Sequence, residues 1–332
     1  TVGIGKNAAP ARRAANQPWE HSFFIKTPAV NRDLKEHSQP VDARPAEIFR
    51  SYPNLAESEP ARVGNPVDRA RWDDQAVNEY VLDHHLEGEG RRLALMSRLL
   101  DPLHRRQIGE LGIGPGDKAL EVGCGNGSVA AWLAEQVAPE GSVIGLDLDL
   151  SLIAARAANL DFRQGDILAG AVDPGGFDLV TARAVLHHVA DPDLAIANLV
   201  ASLAPGGAIL LIEPDFLPVS VAEPAPIKEF WDGWLAWSRE QGIDYHVGRR
   251  LAPRLAALGL EQIEGSAETA VYNGGSPWAE YWIDTITELR GALAASGHLD
   301  EGLIDAFLAH CADPAWWTET ISFTAVRARR SA

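Results

Sequence analysis

LEVGCGNGSVA, residues 120–130, sets three glycines at alternate positions behind an apolar run, with a carboxylate leading them. Glycine carries no Cβ, so such a loop brings bare peptide close to a ligand, and the helix starting behind it offers unpaired N–H groups. The stretch reads as the turn between a first strand and its helix. Outward from it, apolar runs of strand length recur: KALEVG (118–123), VIGLD (143–147), LDFRQGD (160–166), FDLVTA (177–182) and GAILLIE (207–213). Strands that are apolar throughout, separated by helices of ten or more residues such as 128–137, predict an α/β fold: a doubly wound parallel sheet covered on both faces.

Residues 1–66 contain eight prolines and no sustained periodicity, which predicts an N-terminal arm. It is either a tail or a segment that wraps the body, lids a pocket or crosses to a second copy to form a homodimer. Residues 67–115 turn helical, with Val77, Tyr80 and Val81, then Leu93, Met96, Leu99 and Leu100, at three- and four-residue spacings. Asp101-Pro102 reads as the end of one helix and the N-cap and first residue of another. The core, 116–332, carries two helical insertions at 214–247 and 276–310, a further helix at 249–258, and strands at about 261–271 and 319–328.

The chain has 332 residues, 46% of them apolar, enough to fill a substantial core. Its formal charge of −17 repels a phosphate backbone, and no basic stripe interleaves with aromatics, so nucleic acid is not an expected partner. Residues 1–66 hold nine basic and seven acidic side chains, so the arm is weakly positive against a strongly acidic remainder. No run of eighteen uninterrupted apolar residues and no secretory layout is present, which predicts a cytoplasmic protein without a membrane partner. Cys124 and Cys311 form no CxxC pair, and His84-His85 lack the i, i+4 spacing of a helical metal site, so no metal is expected.

Two cofactor classes use a glycine loop in this position, dinucleotides and S-adenosylmethionine. The dinucleotide pattern is G-x-G-x-x-G, whereas here Gly123, Gly125 and Gly127 bring the third glycine one residue early. Glu121, two residues ahead of the first glycine, is repelled by a pyrophosphate and attracted by an ammonium or sulfonium, and this favours S-adenosylmethionine. Asp147 closes the second strand where an acid reaches ribose hydroxyls in either class. Leu148 beside it offers an apolar face to adenine, and Asp166 offers a carboxylate to an exocyclic amine.

These residues resemble the class I S-adenosylmethionine-dependent methyltransferases, in the small-molecule branch similar to menaquinone and ubiquinone biosynthesis enzymes. The resemblance is carried by LEVGCGNGSVA (120–130), VIGLDLD (143–149), QGDI (164–167), FDLVTARAVLHHVADP (177–192) and LAPGGAILLIEPD (203–215), and covers about residues 90–215. It implies a Rossmann-like seven-stranded sheet of order 3-2-1-4-5-7-6 with strand 7 antiparallel. It also implies a methionine pocket shaped by Glu121, Gly123, Cys124, Gly125, Asn126 and Gly127, a ribose held by Asp147, an adenine between Leu148 and Ile167 with its amine on Asp166, and a contribution from Arg183.

Methyl transfer from a sulfonium is an in-line displacement that chiefly needs alignment, with a base only where the acceptor sheds a proton. His187 and His188 follow the fourth strand at the sheet's carboxyl edge, and His187 is the preferred base by resemblance; Glu213, ending strand five, is the next candidate. Seven of the ten tryptophans lie beyond residue 230, in the two helical insertions and near the C-terminus. Each is either core or pocket; Trp231, Trp234 and Trp282, with Tyr80, are the candidate acceptor contacts, and they suit an apolar or aromatic small molecule. The expected reaction is methylation of such a metabolite, at oxygen ahead of carbon or nitrogen, within secondary metabolism. The competing readings are a nicotinamide-dependent oxidoreductase and a non-catalytic cofactor-binding scaffold or regulator.

Overall fold

The structure, a computed structural model, describes residues 88–332. The expectations for the arm, Tyr80 and His84-His85 lie outside these residues. The described elements begin with α1 (Glu89–Gly109), β1 (Lys118–Val122), α2 (Ser128–Val137), β2 (Ser142–Asp147), β3 (Leu160–Gln164), β4 (Phe177–Arg183), α3 (Pro192–Ser202) and β5 (Leu203–Asp215). They continue with α4 (Ala225–Glu240), α5 (Leu251–Ala257), β6 (Glu261–Asn273), α6 (Pro277–Ala295), α7 (Glu301–Ala312) and β7 (Trp317–Arg329). Among the described residues no helix is long and apolar enough to cross a membrane.

The seven strands form one sheet in the order β3-β2-β1-β4-β5-β7-β6, with β7 antiparallel to both neighbours. β1 pairs in parallel with β2 (Leu120 opposite Ile144) and with β4 (Leu120 opposite Val180). Because successive side chains point to opposite faces, the apolar runs feed two cores. Ala119, Val143, Leu179, Leu210 and Ile212 join one core with α1, α2, α4, α6 and α7, while Leu120, Ile144, Val180, Ile209 and Leu211 join the other with α3 and α5.

Local signals set the helix starts. Asp191, Ser276 and Asp300 each accept a hydrogen bond from a backbone N–H three residues on, at 2.9, 3.4 and 2.8 Å, and Pro192 and Pro277 occupy first-turn positions where no N–H is needed.

Two expectations are corrected. The α1 helix runs unbroken through Pro102. Pro102 and Arg98, whose carbonyl it leaves without an intrahelical donor, both face solvent, so water can take the lost bond. Asp101 is accordingly no N-cap; its carboxylate meets Ser128 Oγ at 3.3 Å and Arg183 at 2.9 Å. Nor do long helices separate every strand. No α-helix joins β2 to β3, and a single 3-10 turn, Ile167–Ala169, stands between β3 and β4. β3 is the sheet edge and mostly exposed, so it has little apolar surface for a helix to cover.

Candidate active site

The chain leaves β1 at Gly123, and this residue and Cys124 both donate their N–H to the carbonyl of Leu146 at 2.8 and 3.2 Å. Gly123 has φ +67°, and a Cβ there meets Val185 Cγ2 at 2.2 Å; Gly127 has φ +79°, and its Cβ meets Phe162 Cζ at 2.8 Å. All three glycines have left-handed backbone, Gly125 at φ +53°, and Gly123 and Gly127 are needed also for packing against the protein itself. Gly125 differs, since a Cβ added there meets nothing nearer than Leu93 Cδ2 at 3.9 Å, and its peptide lines the cavity.

Asn126 fastens this loop. Its side-chain amide donates to Ser97 Oγ of α1 at 3.0 Å, and its carbonyl oxygen accepts from the N–H of Ser128 at 3.2 Å, at the start of α2. Asp147, at the end of β2, accepts from the N–H of Gly125 at 2.7 Å and from that of Asp149 at 3.3 Å. The loop and the strand end are thus locked together before any ligand arrives.

A cavity of about 710 Å³ opens above them. Gly123, Cys124, Gly125, Asn126, Asp147, Leu148, Asp166, Ile167 and Arg183 line one end. Leu148 stands 54% exposed, a leucine presented to solvent, Ile167 is buried, and Asp166 caps the 3-10 turn by accepting from Leu168 N–H at 2.8 Å. Bare peptide at Gly125, an acid at a strand end and two aliphatic side chains are groups that the methionine end, ribose and adenine of S-adenosylmethionine could each use.

Gly127 and Glu121 do not line the cavity. Glu121 lies buried under the loop, where it accepts from the N–H of Ala130, while its Oε2 has no hydrogen-bond partner. Burial pushes its carboxyl up to about 8, against the pull of Arg183 and with the push of Asp101 and Asp147. It therefore does not present a ready negative charge at the turn, as the sequence reading had it. Arg183 does line the cavity, with its guanidinium held by Asp101 at 2.9 Å.

His187 and His188 stand at the middle of the cavity, their rings 3.8 Å apart between centroids. Ala184, just past β4, has φ +56°, which turns the following peptides onto Glu213. The Glu213 carboxylate accepts from the N–H groups of Val185 (2.9 Å), Leu186 (2.8 Å) and His187 (3.3 Å), and lies 2.8 Å from His187 Nδ1. Burial raises Glu213 to about 7, against those three N–H groups, and burial lowers His187 to about 3. Fully buried Glu213 does not line the cavity, so its placement is that of a group acting through His187.

Beyond the histidines the wall is aromatic: Phe216, Trp234, Tyr245, Tyr281, Trp282 and Phe323 line it. Trp231 does not; it is core, packed edge-on against Trp282 at 4.9 Å and Phe307 at 5.1 Å. Phe216 and Tyr245 stack at 4.0 Å, and Tyr245 sits 5.2 Å from His187. The sequence reading missed Phe216, Tyr245 and Tyr281, and also Arg92, Met96 and Ser97 of α1. Met96 belongs to a helical stripe that reads as core, and Phe216 and Tyr245 lie outside the tryptophan-rich stretches, whereas Tyr281 stands directly beside Trp282.

Comparison with known proteins places the chain. A demethylmenaquinone methyltransferase of Lactobacillus johnsonii is 35% identical over 113 residues, 31% of this chain and 46% of that one. A ubiquinone biosynthesis O-methyltransferase of Albidiferax ferrireducens is 32% identical over 152 residues, 43% of this chain and 56% of that one. The chain thus spans about half the length of these relatives. Among solved structures, the YcgJ protein of Bacillus subtilis aligns at 17% identity with a TM-score of 0.48, over 68% of this chain and 97% of that one. The family described as methyltransferase domain matches residues 89–264, more than half of the chain, which therefore belongs to the S-adenosylmethionine-dependent methyltransferases.

Proposed function

We propose that this protein transfers a methyl group from S-adenosylmethionine to a small apolar or aromatic metabolite, at a hydroxyl oxygen. The observation carrying this reading is the continuity of one cavity, from the Gly123–Asn126 loop and Asp147, past His187 and His188, to the aromatic wall. Its volume is that of a site for a cofactor and a small acceptor together.

S-adenosylmethionine, when bound, supplies an electrophilic methyl on a sulfonium. Asp147 would hold the ribose, Leu148 and Ile167 the adenine, Asp166 its amine, and the Gly123–Asn126 peptides the methionine end. Glu213, as an acceptor for three backbone N–H groups, favours the His187 tautomer with hydrogen on Nδ1, which leaves Nε2 with its lone pair. Nε2 then takes the acceptor's hydroxyl proton as the O–CH3 bond forms and the S–CH3 bond breaks, with the bonding pair remaining on sulfur. Burial keeps the imidazole neutral at working pH, which leaves the Nε2 lone pair free to take that proton while weakening it as a base. The relatives' names include an O-methyltransferase, which supports oxygen as the acceptor atom.

The test is incubation with methyl-labelled S-adenosylmethionine and a metabolite extract of the source organism, followed by mass analysis of the labelled product. A labelled aryl methyl ether is the expected result. Label on a carboxylate or a charged amine, neither of which needs this base or this wall, would refute the assignment.

A further inference from the structure

His187 is held by two groups of contacts. One is the Glu213 carboxylate, 2.8 Å from Nδ1. The other is the segment between α4 and α5, where Asp244 donates its N–H to the His187 carbonyl at 2.9 Å and Tyr245 sets its ring 5.2 Å from the imidazole, tilted by 31°. His188 also touches the imidazole, at 3.8 Å, but from the same loop, whereas Tyr245 ties it to a distant part of the chain.

Tyr245 is itself fixed. Phe216, directly after β5 and fully buried, donates its N–H to the Tyr245 carbonyl at 3.3 Å and stacks on the Tyr245 ring at 4.0 Å. Phe216 in turn meets Trp231 of α4 edge-on at 5.7 Å. The rings of Trp231, Phe216, Tyr245 and His187 thus form a chain of contacts from the helical insertion to the imidazole. A hydrogen bond at one ring nitrogen fixes one atom and leaves the ring able to swing; a second contact removes that freedom, and a base works only with its lone pair within reach of the proton. We propose that Tyr245 is a positioning residue that acts through His187: its ring, backed by Phe216, keeps the imidazole's Nδ1 on Glu213 and so aims Nε2 at the acceptor. This rests on the base assigned to His187 above and names the residue that orients it.

The test uses the full chain saturated with S-adenosylhomocysteine and follows, by nuclear magnetic resonance, solvent exchange of the His187 Nδ1–H, assigned by its loss in His187→Gln. Each exchange event needs the imidazole to leave Glu213, so removing an aromatic pair in Tyr245→Leu should speed it about fivefold. The backbone amides of β1 should keep their rates in that variant, which separates a loosened imidazole from a destabilised protein. Tyr245→Phe should restore the wild-type rate, since the ring and not the hydroxyl makes the contact. Should Tyr245→Leu fold poorly, Phe216→Leu decides: it leaves Tyr245 in place without its backing and should speed exchange about threefold. Absence of a protected Nδ1–H in the wild type, an unchanged rate in the leucine variants, or Tyr245→Phe exchanging as fast as Tyr245→Leu overturns the inference. Binding of S-adenosylhomocysteine is measured on the same samples by calorimetry, and its failure in the wild type would count against the methyltransferase reading instead.

Discussion

At the cofactor end of the cavity the contacts come from main chain and strand ends between residues 123 and 167, whereas at the acceptor end they come from side chains scattered from Phe216 to Phe323. The first end is held by backbone hydrogen bonds: Gly123 and Cys124 to Leu146, and Gly125 to Asp147. Its shape follows from glycines in left-handed conformations. The second end is held by ring packing, Phe216 on Tyr245 at 4.0 Å and Trp231 edge-on to Trp282 at 4.9 Å. Its shape depends on which side chains α4, α6 and β7 happen to present. One fold can thus keep its cofactor site while varying its acceptor. His187 and His188 stand where the two ends meet.

The comparison would be broken most directly at Asp147. Asp147→Ala removes the partner of Gly125 N–H together with the proposed ribose ligand, and two to three charge-assisted hydrogen bonds predict a loss of about 100- to 1,000-fold in S-adenosylhomocysteine affinity by calorimetry, with no gain in NADH binding. Next in size, His187→Ala should lower kcat about 100-fold or more while leaving cofactor affinity within about twofold, which separates the chemistry from the cofactor end. Gly123→Ala forces a Cβ to 2.2 Å from Val185 at φ +67° and should cost about 2–3 kcal/mol in chemical denaturation.

Smaller effects sharpen the picture through pH. Glu213, raised to about 7, is protonated below that value and then no longer accepts from His187 Nδ1, so kcat should rise with pH through about 7 and level off above it. Glu213→Gln should lower the plateau about tenfold and remove this limb from the pH–rate profile. Glu121, raised to about 8, is neutral at pH 6.5 and ionised above 8, so attraction for the cofactor's positive charge should strengthen as pH rises. Between pH 6.5 and 8.5 the wild-type affinity for S-adenosylmethionine should increase about threefold more than that of Glu121→Gln; equal pH dependence would leave Glu121 as a purely structural group.

Legibility followed the same division. The strand runs could be read because buried parallel strands are apolar on both faces, and Gly123, Asp147 and Asp166 could be read because each sits at a strand end. Glu121 was read as facing the ligand because it precedes the loop, but strand alternation and the start of α2 turn its carboxylate beneath that loop, toward Ala130 N–H. Glu213 was a candidate base on the strength of its strand end, and the structure instead surrounds it with the N–H groups of Val185, Leu186 and His187. The helix break at Asp101-Pro102 failed because an exposed proline in a long, well-packed helix costs only a bond that water replaces.

The sequence by itself determined the sheet, its glycine loop and the acids at its edge, because these depend on hydrophobic period and on backbone conformations open chiefly to glycine. Tertiary structure alone decided which of the clustered tryptophans line the cavity, that Tyr245 stands beside His187 with Phe216 stacked on it, and that Glu213 lies against that imidazole. Those outcomes turn on the directions in which side chains from segments far apart in the chain converge, and such directions are set only when the helices pack.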